Sequence, residues 1–333
     1  MGAILIADNL EGKEPAAPKR FDPYLQFVEM PFSAIFYPLG FPVQVMSNRA
    51  EILEAAEENW GEFWQTVNME PILFKLGVME GGGAECPPAP ASCAQYHIIV
   101  RIADAANFYI VDLLQGFSFG WINAAAVSHR SYLKYHFLEA AVLAHIANRH
   151  ATPVHAACVD WQGRGVLLCG DSGVGKSSLA FACARAGWTY VTDDASFLPN
   201  GESDRRVVGN CHIVRLRPSA IELFEEVADK PVMPRVTGKP SIEIRLATMP
   251  KIRRAPSSKV DYIVFLNRRN SQIQQLVPFP IDAARSYIHK HLNGMENMAS
   301  VDRLLTARIF ELHYYDLDWA IERLERLVRE QGP

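Results

Sequence analysis

Apolar positions along the chain fall into short β-type runs and stretches with helical spacing, set between polar and proline-bearing segments. Residues 1–22, with EGKEPAAPKR at their centre, offer too few apolar side chains to cover a core, which predicts a flexible arm. In SAIFYPLGFPVQVMS, Pro38, Gly40 and Pro42 break the β-type runs and predict strands near an edge or a turn. Ile52, Leu53, Ala56, Trp60, Phe63 and Trp64 then recur at helical spacing, with Asn48 as the expected cap and Glu51 as its capping-box partner. PILFKLGVM, YHIIVRIA and FYIVDLL predict strands, and GGGAECPPAPAS between the first two predicts a loop. From Ser131 to about Arg149, Leu133, Phe137, Leu138, Ala141, Leu143 and Ile146 predict a helix with a broad apolar face.

The texture changes after this helix. VHAACV and GVLLCG read as strands joined by a turn at DWQGR, residues 174–186 as a helix, and TYVTDD as a strand ending in two carboxylates. HIVRLR, SIEIRL and DYIVFLNR predict further strands. Asp316 or Asp318 is expected to cap a last helix whose Ile321, Leu324, Leu327 and Val328 share a face. The expected division is an arm over 1–22, an α+β domain over 23–150 and a second domain over 151–333. A chain of 333 residues has room for two domains at about 150 residues each, and no internal repeat is visible.

Composition narrows the function classes. Apolar residues at 49% and charged residues at 21% are those of a globular protein, and a formal charge of −4 lacks the cationic field of non-specific nucleic-acid binding. No run of apolar residues suits a membrane span. The opening MGAILI is too short and lacks the basic flank of a secretory signal, and Ile6 breaks the myristoylation pattern. The expectation is a cytoplasmic protein with neither nucleic-acid nor membrane partners. Six cysteines without a CxxC pair are expected to be reduced and mostly in the core.

One motif carries chemistry. GDSGVGKS, comprising Gly170, Asp171, Ser172, Gly173, Val174, Gly175, Lys176 and Ser177, fits GxxxxGK[ST]. Typical residue frequencies give about one chance match per hundred chains of this size, and the expected strand before it and helix after it are what phosphate binding requires. Loop N–H groups and the helix N-terminus would cup phosphates, Lys176 would reach the terminal ones, and the Ser177 hydroxyl would ligate Mg²⁺. Ser178 follows in the same turn. Asp193 and Asp194, 17 and 18 positions beyond Lys176, end the next strand, so one could take a proton while the other orients hydrated Mg²⁺. His155 lies on the strand expected beside the loop strand. Arg215 and Arg217 alternate in HIVRLR and either point together at a phosphate or carboxylate or are solvated or ion-paired at the surface; the basic run KIRRAPSSK reads as a loop that either meets an acidic partner or is simply solvated.

The ordered block HAACVDWQGRGVLLCGDSGVGKSSLAFACARAGWTYVTDD resembles the catalytic domain of HPr kinase/phosphorylase, which has a His before the loop, a GDSGxGKS loop and a strand ending in (A/T)DD. The resemblance covers about 40 residues. It implies a phosphoenolpyruvate-carboxykinase-like nucleotide fold and ATP-dependent phosphorylation, with Lys176 and Ser177 on nucleotide and Mg²⁺, Asp193 as acid/base, Asp194 at the metal and His155 in the phosphate pocket. Ser178 stands where these kinases carry Glu, their Gly-Arg-Asn loop toward the protein substrate is missing, and residues 23–150 do not resemble their N-terminal domain. HPr is therefore not the expected acceptor.

The whole reading is an α/β protein: a phosphoenolpyruvate-carboxykinase-like P-loop kinase core behind an N-terminal α+β recognition domain. The expected activity is transfer of the γ-phosphate of ATP, with Mg²⁺, to a hydroxyl of a protein, peptide or small molecule. Alternatives are a nucleotide-gated binding module without turnover and a carboxykinase-type enzyme. Homo-oligomerisation stays open.

Overall fold

The computed structural model describes residues 25, 28–81, 85–233, 240–268, 273–292 and 297–330. The expected arm over 1–22 lies outside the described residues.

A seven-stranded sheet forms first, in the order Phe32–Phe36, Val43–Ser47, Ile72–Met79, Phe117–Asn123, Asn107–Asp112, Ile98–Asp104 and Ala91–Gln95. Val43–Ser47 and Ile72–Met79 are parallel and joined through the helix Ala50–Trp60, whose Ile52, Ala55, Ala56 and Trp60 are buried. That spacing of three, four and eight keeps one face on the sheet. The helical stretch Arg130–His150 packs on the same core and carries π-helical turns at Leu133–Glu139 and Ile146–His150.

Two local expectations in this half give way to other bonding. Asn48 does not cap the helix, where Arg49 takes the cap position without a side-chain bond. Its amide instead donates to the Val78 carbonyl at 2.9 Å and accepts from the Val78 N–H at 2.8 Å, extending the strand ladder beyond Ser47. Within the expected loop GGGAECPPAPAS and just after it, Ala91–Gln95 is an exposed edge strand paired with Ile98–Asp104; backbone pairing needs no apolar burial.

The second, ten-stranded sheet is mixed and holds the candidate chemistry. Ala157–Trp161 and Arg164–Cys169 form the expected hairpin, with positive φ at both Gln162 and Gly163, which matches the twist of a two-residue turn. Arg164–Cys169 runs parallel to the long strand Ser257–Asn267, which in turn runs parallel to Arg308–His313. Side chains of Arg164–Cys169 alternate between two cores. Val166 and Leu168 meet the helices Lys176–Arg185 and Leu317–Glu330, whereas Leu167 and Cys169 meet Ile281–Lys290 and Met298–Leu304. Asp316 is the cap of the last helix, its Oδ1 accepting from Trp319 N at 2.7 Å.

A small sheet of Ile213–Leu216, Ser241–Arg245 and Val232–Met233 flanks the helix that follows the glycine-rich loop. The core of the first half also takes in Phe197 and Val208 from the second sheet. KIRRAPSSK exposes its basic residues as expected but is not a loop throughout: Arg253–Arg254 pairs with Thr189–Thr192, and Ser257 opens the long strand. Arg254 reaches Glu62 at 3.0 Å and Arg253 donates to the Gly187 carbonyl, so both cations are spent inside the chain. Four cysteines are buried, and Cys86 and Cys93 are exposed; all six are free. Among the described residues no helix is long and apolar enough to cross a membrane.

Candidate active site

The loop from Gly170 to Gly175 links Arg164–Cys169 to the helix beginning at Lys176. Gly173 and Gly175 have φ of +89° and +108°, a region that side-chain-bearing residues rarely enter. A Cβ on Gly173 would stand 2.9 Å from the Arg217 guanidinium, and one on Gly175 would stand 3.0 Å from the Tyr314 hydroxyl. The Lys176 ammonium arches back over the loop to the Gly170 carbonyl at 2.6 Å and the Asp171 carbonyl at 3.4 Å. Burial lowers its pKa, and among the described residues no carboxylate forms an ion pair with it. A buried ammonium at a helix N-terminus with neutral partners is complementary to an anion, so the residues present fit a phosphate chain.

A cleft of about 420 Å³ opens over this loop. Ser172, Gly173, Gly175, Lys176, Ser177 and Ser178 line it, joined by His155, Asp193, Asp194, Arg215, Arg217 and Arg268. Val174 does not join them: its side chain is in the core and its N–H bonds the Asp171 carbonyl at 3.2 Å, closing the turn. Gly170 and Asp171 contribute carbonyls to Lys176 rather than open lining.

The two carboxylates after Thr189–Thr192 occupy different environments. Asp193 is 5% exposed. Its Oδ1 accepts from the Tyr190 hydroxyl at 2.8 Å and its Oδ2 from the Arg215 N–H at 3.1 Å. Burial, and then the charge of Asp194, push its pKa up to about 6. Asp194 has a half-exposed side chain, and its Oδ1 lies 3.3 Å from His155 Nδ1. Burial and the nearby Lys176 lower the His155 pKa, so its imidazole is neutral near pH 7. The Ser177 hydroxyl donates to the Asp193 carbonyl at 3.3 Å, which brings it to the same strand end. Among the described residues no three His, Cys, Asp or Glu side chains form a metal cage. Mg²⁺ bound mainly through phosphates and water needs only one or two protein oxygens, which Ser177 and Asp194 are placed to give.

The alternation in HIVRLR resolves into two roles. Arg217 donates to Ser172 Oγ at 3.0 Å across the loop. Arg215 is held by Glu243 at 3.0 Å and lies over the Tyr135 ring at 5.6 Å. A second cavity, of about 690 Å³, adjoins the cleft and shares Asp193, Asp194 and Arg215 with it.

Residues 145–217 match the family described as HPr Serine kinase C-terminal domain. Over this segment the chain is similar to the HPr kinases. The matched segment holds His155, the whole loop, both carboxylates, Arg215 and Arg217. Two curated HPr kinase/phosphorylases, from Clostridium botulinum strains Eklund 17B and Alaska E43, are each 39% identical to it over 59 residues. That span is 18% of this chain and 19% of each relative, so the HPr kinase-related likeness reaches about a fifth of the relatives' length. The structure of the Hpr(Ser) kinase/phosphatase from Coxiella burnetii aligns over 54% of this chain and 99% of its own, at 15% identity and a TM-score of 0.28.

Arg268 lines the cleft, and Tyr190 and Tyr314 lie buried beneath it, Tyr190 bonded to Asp193 and Tyr314 beside Gly175; the motif search singles out none of the three. Arg268 follows the strand that runs beside the loop strand, and ligand sites gather beyond the carboxyl ends of such parallel strands, so DYIVFLNR carried a signal for it. Tyr190 and Tyr314 come from strand pairing and chain-end packing, which have no local signature.

Proposed function

We propose that this chain is an ATP-dependent, Mg²⁺-requiring kinase that phosphorylates a hydroxyl, with 151–333 as a phosphoenolpyruvate-carboxykinase-like catalytic domain and 23–150 as the domain that selects the acceptor. One observation carries the reading. The buried Asp193, the more exposed Asp194 and His155 converge with Lys176 and Ser177 on one cleft over the glycine-rich loop.

When bound, Mg-ATP supplies the phosphoryl group and a metal that offsets its charge. Lys176 and the loop N–H groups hold phosphate oxygens, and Arg217 and Arg268 add positive charge at the rim. Ser177 and Asp194 would hold the hydrated metal, and His155, 3.3 Å from Asp194, would fix that carboxylate. Asp193 takes the acceptor's hydroxyl proton as that oxygen bonds to the γ-phosphorus, ADP departing with the electrons of the broken bond. A base with a pKa near 6 is ionised at pH 7 and still holds a proton well enough to receive one. The acceptor is a protein, peptide or small molecule other than HPr, since the parts of the HPr kinases that meet their protein substrate have no counterpart here.

Calorimetry with Mg-ATP on the full chain tests the reading. Lys176→Ala should weaken binding at least tenfold. Wild-type affinity in that variant, or no binding by the wild-type chain, would remove the assignment.

A further inference from the structure

The 690 Å³ cavity is of the size that encloses a small organic ligand. It runs from Asp193 and Asp194 into the first half of the chain, between the seven-stranded sheet and the helical stretch Arg130–His150. Its far wall comes from residues outside the HPr kinase-related segment.

Two polar groups in that wall are poorly satisfied. Tyr109 is 1% exposed and His136 is 3% exposed, yet His136 Nε2 makes no hydrogen bond among the described residues and Tyr109 Oη faces only the Arg101 guanidinium, without a well-formed bond. Buried polar atoms without partners are rare in folded proteins and call for an explanation, of which a bound ligand is one. Arg101 is the direct cross-strand neighbour of Tyr109, on the same sheet face, and lines the same cavity. Among the described residues it has no carboxylate within ion-pairing distance, although most cations at domain interiors are paired. His136 belongs to the π-helical stretch Leu133–Glu139, and such widened turns recur where helices present side chains to ligands. Trp60 and Phe63 add apolar wall. At the other end stands Asp193, the group shared with the phosphate cleft.

We propose that this cavity is the acceptor site of the kinase and that its occupant is a small hydroxylated anion, whose negative head is held by Arg101, Tyr109 and His136 and whose free hydroxyl is turned toward Asp193. The proposal rests on the kinase reading above for the reaction, and on the cavity alone for the binding. Arg215, also in the lining, is held by Glu243, and the carboxylates of Glu139, Asp193 and Asp194 line the cavity too; the Arg101 end, with its guanidinium beside the Tyr109 hydroxyl and the His136 imidazole, is where an anion bearing oxygen acceptors fits. A carboxylate and a phosphate share that chemistry. The cavity's volume of about 690 Å³ suits a small molecule. In the reaction the acceptor oxygen gains the phosphoryl group, its proton passes to Asp193, and ADP leaves.

The test uses the full chain and three matched pairs of compounds: D-gluconate with D-glucose, D-glycerate with glycerol, and ribose 5-phosphate with ribose. A serine-containing peptide is the macromolecular comparison. Binding is read by calorimetry without nucleotide, and transfer by phosphorylated product from labelled Mg-ATP. At least one anion should bind and be phosphorylated, with at least tenfold preference over its neutral partner. Arg101→Gln should raise KM for that anion tenfold or more while Mg-ATP affinity stays within twofold; His136→Ala gives a second variant with the same expectation. Transfer to the peptide or the neutral compounds only, or an unchanged KM in both variants, overturns the acceptor site, as does the absence of any anion binding. Arg101-dependent anion binding without any phosphorylated product would uphold the site and overturn the kinase reading instead.

Discussion

Asp193→Asn should make the folded chain more stable while slowing transfer. The carboxylate has a pKa of about 6 in the folded state against an ordinary value of 3.8, and the largest cause is burial. A shift of about 2 units corresponds to about 3 kcal/mol of folding free energy forgone when the group is ionised. Because the folded-state pKa is raised, the favourable contribution of the protonated group is complete below pH 4 and is lost as pH rises through 6. The gain from Asn should therefore be near zero at pH 3.5, about half developed at pH 5 and complete at pH 8. Asn fits the same bonds. Its oxygen can accept from the Arg215 N–H, and its NH₂ can donate to the Tyr190 hydroxyl, whose proton turns to the Ile213 carbonyl already 3.1 Å away. Urea unfolding of both proteins without nucleotide, at pH 5 and pH 8, measures the difference; transfer from labelled ATP should fall by about 10² to 10⁴, the usual cost of losing a general base. A variant less stable than wild type at pH 8, or a stability difference that does not grow between the two pH values, would refute the reasoning about burial. Wild-type transfer rates would refute the proton-acceptor role.

Asp194→Asn should leave nucleotide binding in the absence of metal unchanged and raise the Mg²⁺ needed for half activity by about tenfold; it should also lower the His155 pKa further, which NMR titration of the imidazole would show, since Asp194 now raises it. Transfer by wild-type protein should rise with pH through about 6 as Asp193 ionises, checked by the pH profile of kcat/KM. Ellman's reagent should modify the exposed Cys86 and Cys93 quickly in the native chain, and the buried Cys158, Cys169, Cys183 and Cys211 only after unfolding, because burial raises all four thiol pKa values.

The hairpin around Gln162–Gly163, the helix starting at Lys176 and the strand ending at Thr192 were legible in sequence because local turn chemistry and apolar runs decide them. The convergence of His155, Lys176 and Asp194 was legible only through motif order, since no local rule brings positions 155 and 194 within 3.3 Å. Where tertiary partners compete with local preference, the reading failed. Asn48 is a good cap by type but bonds a strand 30 positions away, and Arg253 and Arg254, exposed as expected, look like a loop until the pairing with Thr189–Thr192 is known. Short strands such as Arg206–Val208 carry too few residues for any periodicity, and the cavity beyond Asp193 arises from the meeting of distant segments.

Phe197 and Val208 belong by chain position to the half that carries the HPr kinase likeness, and by packing to the other half. A fragment cut at residue 150 would bare both side chains, each worth about 1.5–3 kcal/mol of apolar burial, along with the strand faces around them. The border of sequence likeness is thus no border of cooperative unfolding. An exchange of the front half for another module would have to carry a matching socket for these two side chains, which ties any replacement of that half to the survival of the other.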